Sequence, residues 1–332
     1  MSRNATKDLT TGSPMKLILG FGIPLLFGML FQQFYNMMDT IIVGKFLGVS
    51  ALASVGATGS INFMIIGFCM GVCNGFAIPV AQRFGAKDEH GMRKFVANSV
   101  WLSIIFAVVM AVLVCVFCRQ ILELMNTPED IIDGSYSYIF VIFLGIPATY
   151  MYNLLSGIMR SLGDSKTPLY LLIFSSILNI ILDLLSIIVL KMGVAGAAWA
   201  TVIAQAVSGF CCLGVIWKKF PILHVQREEW QPDKFCILNL CNMGIPMGLQ
   251  YSITAIGSVI IQAAVNSLGS VAVASVAAAV KINMFLCCPY DAMGSTMATY
   301  AGQNVGAGKF DRLKQGEKSC TLLGLVYGIV AF

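Results

Sequence analysis

Four ionisable residues stand in runs of sequence that are otherwise apolar: Asp39, Asp183, Lys281 and Asp291. A charge at the centre of a membrane helix costs about 2.5–3.5 kcal/mol on insertion scales, so such groups usually face a cavity and carry a function. Asp39 and Asp183 belong to polar stripes at helical spacing. Gln32, Asn36 and Asp39 fall on one helix face, Asn179 and Asp183 are one turn apart, and Thr201, Gln205 and Ser208 follow on a third helix. Asp39 lies six residues before Lys45, Asp183 eight before Lys191, and Thr201 ten after Lys191, which sets all three at a similar depth. Asp39 alone also admits the reading of a residue that caps or snorkels at a helix end; its agreement with Asp183 and Thr201 favours one enclosed site. Two carboxyls sharing such a site compete for protons, so one of them can exchange a proton near neutral pH. Alternatively, their oxygens with those of Asn179 and Thr201 hold a hard cation such as sodium.

Lys281 and Asp291 are ten residues apart, about 15 Å along a helix and on different faces, so they do not pair. Lys281 either faces a central cavity, where it favours anionic or zwitterionic substrates, or has a structural partner. Asp291 has a structural or cavity role. Classical catalysis has little to work with: His90 and His224 fall in expected loops, and all eleven cysteines sit in or beside apolar runs without metal-site spacing. These cysteines read as small core residues. An enzyme is not expected.

The elements that position these groups must be membrane helices. Charged residues are 11% of the chain against 58% hydrophobic, with a mean hydropathy of +0.82, values foreign to a soluble domain. Nine stretches reach or approach spanning length, at about 16–43, 51–82, 95–118, 135–162, 168–190, 194–217, 235–265, 271–302 and 315–332. Short alternating segments of a transmembrane barrel are absent, so the fold class is all-α, polytopic. The first run is too long and too polar for a cleaved signal peptide. The N-terminus and the even-numbered connections hold most of the Lys and Arg, Arg83, Lys87, Arg160, Lys166, Lys218, Lys309 and Arg312 among them, which places the N-terminus in the cytoplasm. The net charge of +5 is this topogenic bias and does not imply nucleic acid.

An internal repeat sets the architecture. Gly22-Ile23-Pro24-Leu25 recurs as Gly244-Ile245-Pro246-Met247, Leu47-Gly48 as Leu268-Gly269, Ala53-Ser54-Val55 as Ala274-Ser275-Val276, and Gln82-Arg83-Phe84-Gly85-Ala86 as Gln303-Asn304-Val305-Gly306-Ala307. An offset of 221 or 222 residues holds six spans, so both copies insert the same way, as parallel six-helix lobes. The expected organisation is a first lobe over 1–220, a cytoplasmic linker over 221–234, and a partial second lobe over 235–332 with about three helices. Doubling the repeat gives about 440 residues, and the last run is still apolar at Phe332, so C-terminal truncation is expected. The glycines of the Gln-x-x-Gly-Ala blocks are expected to relax the backbone at helix ends.

The run IPLLFGMLFQQFYNMMDTIIVG, the pair Asn179-x-x-x-Asp183, Thr201 and the duplicated Gln-x-x-Gly-Ala block resemble the multidrug and toxic compound extrusion family. The resemblance implies a bacterial inner-membrane protein, a V-shaped pair of lobes alternating between outward- and inward-open states. Amphiphilic or cationic organic compounds are expelled by antiport against H+ or Na+, with no other cofactor. It also implies a monomer whose partners are small organic substrates and membrane lipid. By matching positions, cation coupling falls to Asp39, Asn179, Asp183 and Thr201, with Asn153 as a further member, and the helix-one hinge to Pro24, where a lost backbone hydrogen bond permits a bend. Gln32, Asn36, Gln205, Lys281 and Asp291 are the cavity candidates. Nothing between Asp233 and Asp291 is acidic, unlike one branch of the family, so coupling belongs to the first lobe. The competing readings are a lipid-linked oligosaccharide flippase of the same superfamily and, remotely, an intramembrane enzyme.

Overall fold

The chain is helical throughout in a computed structural model, which describes residues 6–125, 127–266 and 270–331. The first lobe comprises α1 (Pro14–Leu47), α2 (Val49–Ala57), α3 (Gly59–Gly85), α4 (Glu89–Val116), α5 (Cys118–Leu124), α6 (Ile132–Leu144), α7 (Ile146–Ser161), α8 (Lys166–Leu184) and α9 (Gly193–Lys219). The second contributes α10 (Lys234–Asn266), α11 (Ser270–Gly306) and α12 (Phe310–Ala331). Five described helices are long and apolar enough to cross a membrane, six when α6 and α7 count as one. The three further expected spans are the helices α10 to α12. The Leu268-Gly269 copy of the repeat lies outside the described residues.

Local chemistry breaks two of the expected spans. The run over 51–82 is two helices because the Thr58 hydroxyl donates to the Val55 carbonyl (2.7 Å), a local bond that competes with the helical ladder. The run over 135–162 bends by 46° between α6 and α7. Pro147 lacks the N–H that would continue the ladder, and a side chain at Gly145 would strike Val202. A π-helical turn, Leu185–Val189, directly follows α8 and so re-aims the helix just beyond Asp183. The first lobe packs around α3 and α7 on a core that includes Cys69, Val72, Cys73, Phe76 and Tyr150. All eleven cysteines are free thiols, and six of them, Cys69, Cys73, Cys118, Cys212, Cys236 and Cys288, are buried.

The lobes meet through glycines. On one side α3 crosses α10 so closely that a Cβ on Gly71 would stand 2.5 Å from the Met247 carbonyl oxygen, and one on Gly75 2.5 Å from the Gly244 Cα. The crossing related to it by the repeat, α1 on α11, is looser: a Cβ on Gly22 would stand 3.0 Å from the Thr296 hydroxyl. At the face that carries the N-terminus, a side chain on Gly85 would strike the Gln303 carbonyl and one on Gly306 the Gln82 carbonyl. This reciprocity is what two copies of one motif related by a twofold produce. It also corrects the expectation for these glycines: neither has a positive φ, and what they supply is the absence of a side chain where two backbones touch.

The N-terminal segment straps this face. The Lys7 amide donates to the Leu162 carbonyl (2.9 Å) in the first lobe, while the Leu9 amide donates to Gln303 Oε1 (2.8 Å) in the second. Lys309 Nζ donates to the Thr10 carbonyl (2.9 Å), and Gln303 Nε2 to the Ser161 carbonyl (2.8 Å). Leu9 is fully buried among Ile18, Phe21, Leu25 and Tyr300.

The segment joining the lobes is docked. Buried Glu229 accepts both carboxylate bonds from Arg93 Nε (2.9 Å each), meets His90 Nδ1 (2.9 Å) and accepts from the Gln226 amide (2.8 Å). Burial opposes its charge, yet the Gln226 amide, Arg93 and His90 outweigh it and hold the carboxyl below its usual range. His90, expected in a loop, sits in the first turn of α4.

Candidate functional site

The site grows from Thr201 on α9. Its hydroxyl donates to the Ala197 carbonyl one turn back (3.1 Å), which uses its only hydrogen. The Tyr35 hydroxyl of α1, 3.2 Å away, is therefore the donor to Thr201. The Asn179 amide of α8 also donates to Thr201, at 3.2 Å. This second bond uses the Asn179 amide and leaves its carbonyl oxygen without a partner, one turn before Asp183 on α8.

There the polar atoms are all acceptors. Oδ1 of Asn179, both carboxylate oxygens of Asp183 and Oδ1 of Asp39 are buried without a donor. The two carboxyls are close enough to act directly on each other, and Asp183 is fully buried. Buried polar groups are nearly always hydrogen-bonded, so a cluster of four orphan acceptors marks a place built for something positive. A proton or a small cation meets that need; an anion or an apolar group does not. Beside it lies a cavity of about 20 Å³ lined by Gln32, Tyr35, Tyr152, Ser175, Thr201 and Gln205. About 10–15 Å³ of such space holds one water, so this cavity admits water or a bare ion and no organic molecule.

Asp39, Asn179, Asp183 and Thr201 thus come together as one cluster, and Gln32 and Gln205 line the adjoining cavity. Asn153 does not join them: its amide donates to the Thr149 carbonyl in its own helix (2.8 Å), and Thr149 in turn donates to Gln205 (2.6 Å). Asn36 is exposed and does not line that small cavity. Helical geometry explains the split, for positions 32 and 35 lie closer in angle to 39 than position 36 does. Pro24 lies inside α1 and does not interrupt it. Asp291 is exposed on α11, near Tyr251 and apart from the first-lobe acids. The Lys281 side chain lies outside the described residues.

Two tyrosines were missed by the sequence reading. Tyr35 is one turn before Asp39 and was legible by spacing; Tyr138 on α6, buried near Tyr35, Asp39 and Asp183, left no local signal.

Comparison with known proteins identifies the family. The MatE family matches residues 24–185 and 246–332, two segments that open at Pro24 and Pro246, the prolines that the internal repeat pairs. Among curated relatives, the probable multidrug resistance protein YoeA of Bacillus subtilis is 32% identical over 305 residues, covering 89% of this chain and 65% of that one. The probable multidrug resistance protein YpnP of the same organism is 29% identical over 308 residues, covering 92% and 68%. The chain thus spans about two thirds of the length of these relatives. In fold it resembles a crystal structure of MATE in complex with MaL6, with a TM-score of 0.92 and 24% identity over 99% of this chain and 73% of that one. The chain belongs to the MatE family.

Proposed function

We propose that this chain forms the ion-coupling lobe and part of the substrate chamber of an antiporter that expels amphiphilic or cationic organic compounds against H+ or Na+. The observation that carries the reading is the acceptor cluster of Asp39, Asn179 and Asp183, which needs a positive occupant in a fold whose curated relatives are named multidrug resistance proteins. Tyr35 and Thr201 hold the Asn179 carbonyl in place, and the ion bridges α1 to α8. Drawing α1 toward α8 changes the helix that carries Pro24, where the backbone is least resistant to bending. The face carrying the N-terminal strap is the cytoplasmic one in this reading, and the glycine contacts there close the chamber inward.

The test is efflux of a fluorescent organic cation from proteoliposomes, driven in turn by a pH and by a sodium gradient. D39N and D183N each abolish gradient-driven efflux while leaving downhill leak of the compound unchanged. Gradient-driven efflux that persists in both variants sinks the coupling role.

A further inference from the structure

Arg160 is the next-to-last residue of α7, at the basic face, where a long cation ordinarily reaches outward to water. Its guanidinium does the reverse. Nη2 lies 3.8 Å from the Cβ position of Gly157, one turn back, and donates to Asn74 Oδ1 at 3.0 Å. Asn74 is eleven residues before the end of α3, about 16 Å into the bundle. The residues that follow, Ser161 and Leu162, are sealed by Gln303 and by Lys7 of the strap. Among the described residues no Asp or Glu forms an ion pair with Arg160. Its surroundings are Tyr152 of its own helix, Cys73 of α3, Cys212 of α9 and Tyr251 of α10, across the lobe boundary. Tyr152 also lines the cavity beside the acid cluster.

A half-buried cation inside the bundle without a counter-charge is costly, and one neutral amide compensates only part of that cost. Of five N–H donors in a planar fork, one is engaged by Asn74; the fork matches a carboxylate in geometry and charge. We propose that Arg160 is the anion-recognising residue of the substrate chamber, receiving the carboxylate of an amphiphilic compound whose apolar body lies between the lobes. The inference rests on the transporter reading and extends its substrate class to acids and zwitterions. Asn74 positions the fork from the first lobe, and Tyr251 brings the second lobe to the same place.

The test is equilibrium binding to the chain in phosphatidylcholine nanodiscs, without an ion gradient, using dansylglycine and dansylglycinamide, which differ by a carboxylate against an amide. The native chain binds the acid about tenfold more tightly than the amide, the scale of one charge-assisted contact. R160Q brings the acid down to the affinity of the amide and leaves the amide within about twofold. N74D gives the guanidinium a carboxylate of its own: the melting temperature rises, and the preference for the acid is lost. A purely structural Arg160 predicts the stabilisation without that loss. Equal binding of both probes by the native chain overturns the proposal, as does an acid preference that survives in N74D, whether or not R160Q folds. If neither probe binds at all, the proposal is overturned, while the transporter reading stands or falls on the efflux test above.

Discussion

Replacing Thr201 by Val keeps the volume and removes the one oxygen on which the candidate ion site is hung. Tyr35 and Asn179 both donate to that oxygen, each at 3.2 Å, from α1 and α8. Hydrogen bonds between helices in membranes average about 0.6 kcal/mol and reach about 1.7, so losing two costs about 1–3 kcal/mol. That cost falls on the state in which the Asn179 amide is held on α9 and its carbonyl oxygen is left free for the ion. T201V should therefore need roughly 5–150 times more driving ion for half-maximal efflux, with the maximal rate less affected. The assay is proteoliposome efflux titrated along the pH and the sodium axis separately. T201S, which keeps the hydroxyl, should stay near the native midpoint, and Y35F should fall between. If T201V titrates within about twofold of the native chain on both axes, the Tyr35–Thr201–Asn179 chain does not orient the ion site.

Further expectations are tied to other contacts. G85V and G306V each press a side chain onto a carbonyl of the opposite lobe; both should open that face, read as faster labelling of a cysteine placed at Ala307. Leu9→Asp puts a charge in the pocket of Ile18, Phe21 and Tyr300, so the N-terminal strap should detach and become cleavable by trypsin at Lys7 under conditions where the native chain resists. Glu229 has a folded-state carboxyl held below its usual value of 4.5, so its contribution to stability is present above that value and is lost as pH falls through the lower folded one. Melting temperature should drop on that acidic limb in the native chain, and E229Q should start lower and show a flatter limb.

The helical class, the repeat and the pairing of Asp39 with Asp183 were legible because each is a matter of period or offset. Gln32 and Asp39 were placed correctly by periodicity, whereas Asn36 was not, since a 3.6-residue period gives an angle but not the width of the buried arc. The breaks at Thr58 and Gly145 escaped because hydropathy averages over a side-chain hydroxyl and a missing amide that decide the backbone locally. Arg160 was counted as a topogenic charge, and its position in sequence justified that; nothing short of the rotamer says that its head points inward. Gly85 and Gly306 were identified by the repeat but assigned the wrong property, because sequence does not distinguish a glycine needed for its torsion from one needed for its size.

The inequality between the two glycine crossings has a mechanical consequence. A pair of rigid bodies turns most cheaply about its tighter contact, and of these two crossings that is α3 on α10, where Gly71 and Gly75 lie against Met247 and Gly244. The axle of the molecule is then off-centre. For any given rotation the longer lever arm falls to α1 and α11, whose contact at Gly22 and Thr296 is less tight. Spin-label pairs across α1 and α11 should accordingly change separation more than pairs across α3 and α10, and an ion gripped at one end of α1 works with the greater leverage.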